Sequence, residues 1–77
     1  MLLNIKYFGL IAELTQCSEE SLEISGATIR ELRAFLFEKY PELKNKDFQI
    51  AQNREIVSEE SRISSGEIAL LPPFSGG

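Results

Sequence analysis

The group in this sequence best suited to transferable chemistry is the terminal carboxylate of Gly77. At neutral pH it is ionised and a poor electrophile. Activation requires a separate enzyme, typically one that forms an acyl-adenylate from ATP. A sulfur donor can then give a C-terminal thiocarboxylate, whose sulfur is a far better nucleophile than a carboxylate oxygen. Gly76 and Gly77 carry no Cβ, so the tip can thread a channel that any side chain would block. Pro72 and Pro73 stiffen the base and limit the entropy lost on docking. With Phe74 and Ser75 between them, six extended residues reach about 20 Å. At a glycine frequency of about 7%, about 0.5% of chains end in Gly-Gly by chance. The inference therefore rests on the rigid Pro72-Pro73 base and on the elements that precede it.

Other chemistry is sparse. The sequence has one Cys and no His. It lacks the commonest general base and the commonest metal ligand, and no zinc-type cluster is visible. Neither a metal nor a tightly bound cofactor is expected. Cys17 lies between Gln16 and Ser18 in an expected turn. The carboxylates of Glu19 and Glu20 oppose a thiolate there, so the thiol reads as inert. Glu19-Glu20 and Glu59-Glu60 read as solvated pairs. Twelve acidic residues against eight basic ones leave a net charge of −4. With no run of Lys or Arg, nucleic-acid binding is not expected. The stretch from Ile68 to Phe74 is too short to span a bilayer, and the N-terminus lacks the pattern of a signal peptide. A cytoplasmic protein is the expectation.

The elements that must position the tail follow from periodicity. The chain of 77 residues suits one small domain. Leu3, Ile5 and Tyr7 alternate with Asn4 and Lys6, which predicts a half-buried strand over 2–8. Gly9 breaks it, and a short helix over 10–15 follows. Leu22 and Ile24 alternate with Ser21, Glu23 and Ser25 in a second strand, antiparallel to the first. Thr28-Ile29-Arg30-Glu31 matches a capping box. The helix it opens runs to about Tyr40, with Ile29, Leu32, Leu36 and Tyr40 in one stripe of roughly 80°. Pro41 stops it. A third strand covers 48–52 with Phe48 and Ile50 inward. Asn53-Arg54 signals a turn into a brief strand over 55–57. Residues 58–66 form a polar loop anchored by Ile63. The last strand, 67–71, ends at Pro72-Pro73.

Strand, strand, helix, strand, short strand, strand is the order of an α+β, ubiquitin-like β-grasp. A mixed sheet of four or five strands packs on one main helix, with the first and last strands parallel at its centre. Residues 1–71 make the domain and 72–77 a flexible Gly-Gly tail. If Leu3, Ile5 and Tyr7 face the helix, Phe8 faces the other way. Ile68 and Leu70 likewise point inward, and Ala69 and Leu71 outward. Phe8 and Leu71 then converge on the open face near the tail's root, and Phe74 extends that patch. These three form the expected core of a partner interface.

The ending from Ala69 to Gly77, an apolar strand and then Pro-Pro-x-x-Gly-Gly, resembles that of the molybdopterin synthase small subunits. That family belongs to the ThiS-type β-grasp sulfur carriers. Tyr7-Phe8-Gly9 with Ala12-Glu13-Leu14-Thr15, Thr28 to Leu32, and Ser65 to Ala69 are similar to its other motifs. The resemblance spans essentially the whole chain and is weakest over 48–65. It implies a non-catalytic, sulfur-donating subunit of a transferase. An E1-like enzyme would adenylate Gly77 with ATP, and a sulfur donor would convert it to the thiocarboxylate. The tail would enter the large subunit of a heterotetramer. There the sulfur would help convert cyclic pyranopterin monophosphate into the molybdopterin dithiolene. A sulfur carrier for thiamine thiazole synthesis and a ubiquitin-like protein modifier share the tail chemistry and stay open. Pro72-Pro73 favours the first reading.

Overall fold

The computed structural model describes residues 2–64 and 66–73. Strand β1 is Leu2–Tyr7; Leu3, Ile5 and Tyr7 are buried, and Asn4 and Lys6 are half-buried. Gly9 then turns the chain with φ 60° and ψ −137°, a conformation open essentially to glycine. Helix α1, Leu10–Thr15, ends on Gln16 in the left-handed region at φ 63°. The buried Thr15 hydroxyl donates to the Cys17 carbonyl at 3.0 Å and guides the chain into β2. Strand β2, Glu19–Glu23, pairs antiparallel with β1, with Leu3 opposite Leu22 and Ile5 opposite Glu20. It stops two residues short of the expected end.

Helix α2 is Ile29–Lys39, and its N-terminus carries the complete capping box. The Glu31 N–H donates to Thr28 Oγ1 at 3.4 Å. The Glu31 carboxylate accepts from the Thr28 and Ala27 N–H groups at 3.1 and 2.8 Å. Those backbone donors hold its carboxyl below the usual carboxylate range. Two further helix N–H groups find partners in the polar loop. Ile29 donates to the Ser61 carbonyl and Arg30 to that of Glu59, both at 2.9 Å. The loop is thus a second cap for α2. It is pinned at its far end by the buried Gln52, whose side chain donates to the Arg62 carbonyl and accepts from the Ser64 N–H.

The helix stops before Pro41, as expected, but the following residues form a 3-10 helix, Pro41–Asn45, that the sequence reading lacked. It drives Leu43 fully into the core. Strand β3 is Gln49–Gln52 and begins one residue later than expected, leaving Phe48 half-buried against the ring of Phe37. Asn53 and Arg54 both have positive φ, 54° and 68°. This two-residue turn matches the twist of a hairpin and returns the chain as β4, Glu55–Ile56. Strand β5 is Glu67–Leu71.

The sheet order is β2-β1-β5-β3-β4, with β1 and β5 parallel at the centre. One face carries Leu3, Ile5, Ile50, Ile68 and Leu70 onto Ile29, Leu32 and Leu36 of α2. One member of each acidic pair, Glu20 and Glu59, differs from the expectation of solvated carboxylates, while Glu19 and Glu60 are exposed as expected. Glu20 lies on the helix-facing side of β2, because it pairs with Ile5. Its carboxylate accepts from the Tyr7 hydroxyl at 2.5 Å and the Tyr40 hydroxyl at 2.6 Å. Lys39 stands 3.8 Å away. Glu59 pairs with Arg33 and, at 3.4 Å, with Arg30. Glu20 is drawn in by donors from β1, α2 and the α2 C-cap, and Glu59 by the two arginines of α2.

Candidate functional site

Register assembles the open face of the sheet. Lys6 pairs with Ala69, Ala69 with Ala51, and Ala51 with Ile56, so these four side chains form one row across β1, β5, β3 and β4. In the next row Leu71 pairs with Gln49. Tyr7 pairs with Leu70 in the parallel ladder, which brings Phe8 beside Leu71. The Phe8 N–H donates to the Leu70 carbonyl at 3.2 Å and fixes this end of the ladder. Small residues occupy the middle of the face and large apolar ones its flanks. The result is a depression of about 420 Å³ lined by Phe8, Leu71, Ala69, Ala51 and Ile56.

Phe8 is 45% exposed and Ile56 50%. Burying a large apolar side chain fully is worth about 1.5–3 kcal/mol, so covering this face offers a partner a substantial gain. The rim is polar. Lys6 Nζ lies 4.0 Å from Glu67 Oε1 at one side, and Asn53 and Arg54 of the tight turn stand at the other. Of the residues expected in a partner interface, Phe8 and Leu71 therefore line one surface. Ile56 was not among them. Its signal was available in the turn chemistry of Asn53-Arg54. The Val57 N–H donates to the Ile50 carbonyl at 3.0 Å and Val57 packs on the core, so its neighbour Ile56 must face outward.

The tail leaves from the end of this face. β5 stops at Leu71, and Pro72 and Pro73 are exposed. Pro72 lies against Gly9, where an added Cβ would meet Pro72 Cγ at 3.4 Å. The tail's base thus sits over the end of β1 at van der Waals distance. Beside it, Leu10, Ile11, Pro72 and Pro73 line a small apolar notch of about 230 Å³. The expectations placed on Phe74, Ser75, Gly76 and Gly77 lie outside the described residues, as does Ser65 of the lead into β5. Cys17 is half-buried beside Thr15, with Sγ 3.8 Å from its hydroxyl. Among the described residues no group of three or more His, Cys, Asp or Glu is placed to hold a metal ion. No helix among them is long and apolar enough to cross a membrane.

A five-stranded mixed sheet on one main helix, with the last strand parallel to the first at its centre, defines a ubiquitin-like β-grasp protein. The sequence matches the ThiS family over residues 5–77, and the chain belongs to that family. It is 34% identical to the molybdopterin synthase sulfur carrier subunit of Caenorhabditis briggsae, over 96% of this chain and 95% of that one. Among solved structures it resembles the putative molybdopterin converting factor subunit 1 of Pyrococcus furiosus, with TM-score 0.87 and 24% identity over 96% and 99% of the two chains. SAMP1 of Haloferax volcanii superposes with TM-score 0.80 and 24% identity over the full length of both chains. A complex of subunits 1 and 2 of the molybdopterin-converting factor of Helicobacter pylori contains a chain with TM-score 0.69 and 27% identity over the full length of both.

Proposed function

We propose that this chain is the sulfur-carrying small subunit of a molybdopterin synthase. The observation that carries the reading is the joining of an apolar, uncovered sheet face to the root of a Pro-Pro-x-x-Gly-Gly tail on the central strand. The full-length likeness to the curated sulfur carrier subunit supports it. On this reading the Gly77 carboxylate attacks ATP on an E1-like enzyme, releasing pyrophosphate and leaving an acyl-adenylate. Sulfide sulfur from a donor protein then displaces AMP to give the thiocarboxylate. The domain docks on the large subunit through Phe8, Leu71, Ile56 and Phe74, and the tail carries the sulfur to cyclic pyranopterin monophosphate. Transfer restores the Gly77 carboxylate with oxygen from water. Two carriers supply the two sulfurs of one dithiolene, which fits a heterotetramer of two small and two large subunits. This chain supplies recognition, reach and the sulfur atom, and the large subunit supplies the catalytic side chains.

The test is intact-mass spectrometry of the chain isolated from its own cells, followed by reconstitution with the large subunit. The expected species carries sulfur in place of one oxygen at Gly77. Removing Gly77 is expected to abolish molybdopterin formation while the thermal midpoint stays unchanged. Undiminished molybdoenzyme activity without Gly77 would overturn the reading. The likeness to SAMP1 supports a second one, a protein modifier. That reading predicts isopeptide conjugates between Gly77 and lysines of many cellular proteins.

A further inference from the structure

The strand at one end of the sheet has an uncovered side. β2 is an outer strand, and among the described residues only β1 pairs with it. The Tyr7 N–H donates to the Ser18 carbonyl, so Tyr7 and Ser18 form a hydrogen-bonded pair. Two residues along in the register, Ile5 with Glu20 and Leu3 with Leu22 follow the same pattern. Glu20 and Leu22 therefore turn their backbone groups toward β1. Glu19 and Ser21 turn theirs outward, toward the free edge.

Beside that edge runs a groove of about 300 Å³ between the end of β2 and α2. Its floor is apolar: Ile24, Ala34 and Phe35. Phe35 lies on the β2 side of α2, while Phe37 lies on the other side against Phe48. Both are only partly buried. Phe37 has a facing ring, and Phe35 looks into the groove. The groove closes where the chain passes Gly26, since a Cβ there would come within 2.5 Å of Glu31 Cβ. Its rim is acidic, with the carboxylates of Glu31 and Glu38 along the helix. Glu19 stands on the opposite, open face of β2, because it pairs with Lys6.

We propose that the β2 edge and this groove form a second docking surface, for an extended segment of another protein that alternates apolar and basic residues. A strand added to β2 takes main-chain hydrogen bonds from Glu19 and Ser21. Its side chains then alternate between two environments. Those on the helix side enter the groove over Phe35 and meet apolar surface. Those on the open side meet Glu19, and residues at the groove's mouth meet Glu31 and Glu38. Acidic side chains also guard an edge against pairing with its own kind, and the same charge selects a basic partner. This surface does not depend on the sulfur-carrier reading, and its edge lies apart from the Phe8, Leu71 and Ile56 face.

The test is a titration of the uniformly 15N-labelled full chain with a capped six-residue peptide of alternating lysine and valine, followed by amide shifts. Saturable shifts are expected at Glu19, Ser21, Ile24 and Phe35. Ser21→Pro removes an outward donor from an edge strand, where proline is tolerated, and is expected to abolish saturation. Ala34→Lys, on the exposed side of α2, is expected to do the same without altering the strand. A lysine–serine peptide of equal charge is expected not to saturate. Equal binding of that peptide would reduce the surface to charge attraction and overturn the proposal. Shifts centred on Phe8, Leu71 and Ile56, or no saturable shift, would also overturn it.

Discussion

The two faces of one sheet have opposite characters although they share every strand. Toward α2, Leu3, Ile5, Ile68 and Leu70 are completely buried. Away from it, the intervening residues are Lys6, Ala69, Leu71 and Phe8. A strand cannot bury both faces without a layer on each, and among the described residues one face is covered. The helix-side face therefore holds the fold, and the open face carries the recognition role proposed above. The tail root belongs to both. Leu70 fixes β5 in the core, and Leu71, one residue on, lines the open depression.

Core truncation should give the largest change in stability. Ile68→Ala deletes a fully buried side chain on the central strand and is expected to destabilise the domain by about 2–5 kcal/mol, read from urea unfolding. The open face should respond differently. Phe8→Ala is expected to change stability by no more than about 0.5 kcal/mol. It should weaken binding to a large synthase subunit by about 1–3 kcal/mol if Phe8 is a hot spot, measured by calorimetry. Ile56→Ala should follow the same pattern. A large stability loss in Phe8→Ala, with unchanged affinity, would mean that the two faces do not divide their roles in this way.

Much of this division was legible from alternation alone. Period two put Leu3, Ile5 and Tyr7 on one side and Phe8 on the other, and the capping box located α2. Thr28→Ala should accordingly cost about 1 kcal/mol, again by urea unfolding, with no effect on the open face. What alternation missed depends on contacts distant in sequence or on very short elements. β4 has only two residues, too few for a period, so the outward Ile56 escaped notice. Leu43 enters the core through a single 3-10 turn that no apolar repeat announces. The docking of the polar loop on the α2 N-terminus rests on backbone bonds that leave no pattern in the side chains. The pairing of Glu20 needed the register of β2 against β1, together with a tyrosine from each of two elements.

The half-buried Glu20 carboxylate gives the last and subtlest contrast, through the two tyrosines that donate to it. Burial first, and then the hydrogen bond to Glu20, push the Tyr7 hydroxyl far above the usual tyrosine range. The same causes raise Tyr40. A phenol raised in the folded state stabilises the fold fully below the unfolded value of about 10. The contribution is lost as pH rises from there toward the folded values, because the unfolded chain releases protons that the folded one retains. Stability should therefore be level from about pH 7 to 9 with respect to these groups and should fall above about pH 10. The wild-type slope alone does not identify the tyrosines. The decisive comparison is the double variant Tyr7→Phe, Tyr40→Phe, which keeps Lys39 and Glu20. Its stability should be lower near neutrality, since Glu20 loses both hydroxyl donors, but its decline above pH 10 should be shallower. An equally steep decline in the double variant would place the alkaline sensitivity elsewhere, and the tyrosine pair would then have no part in it.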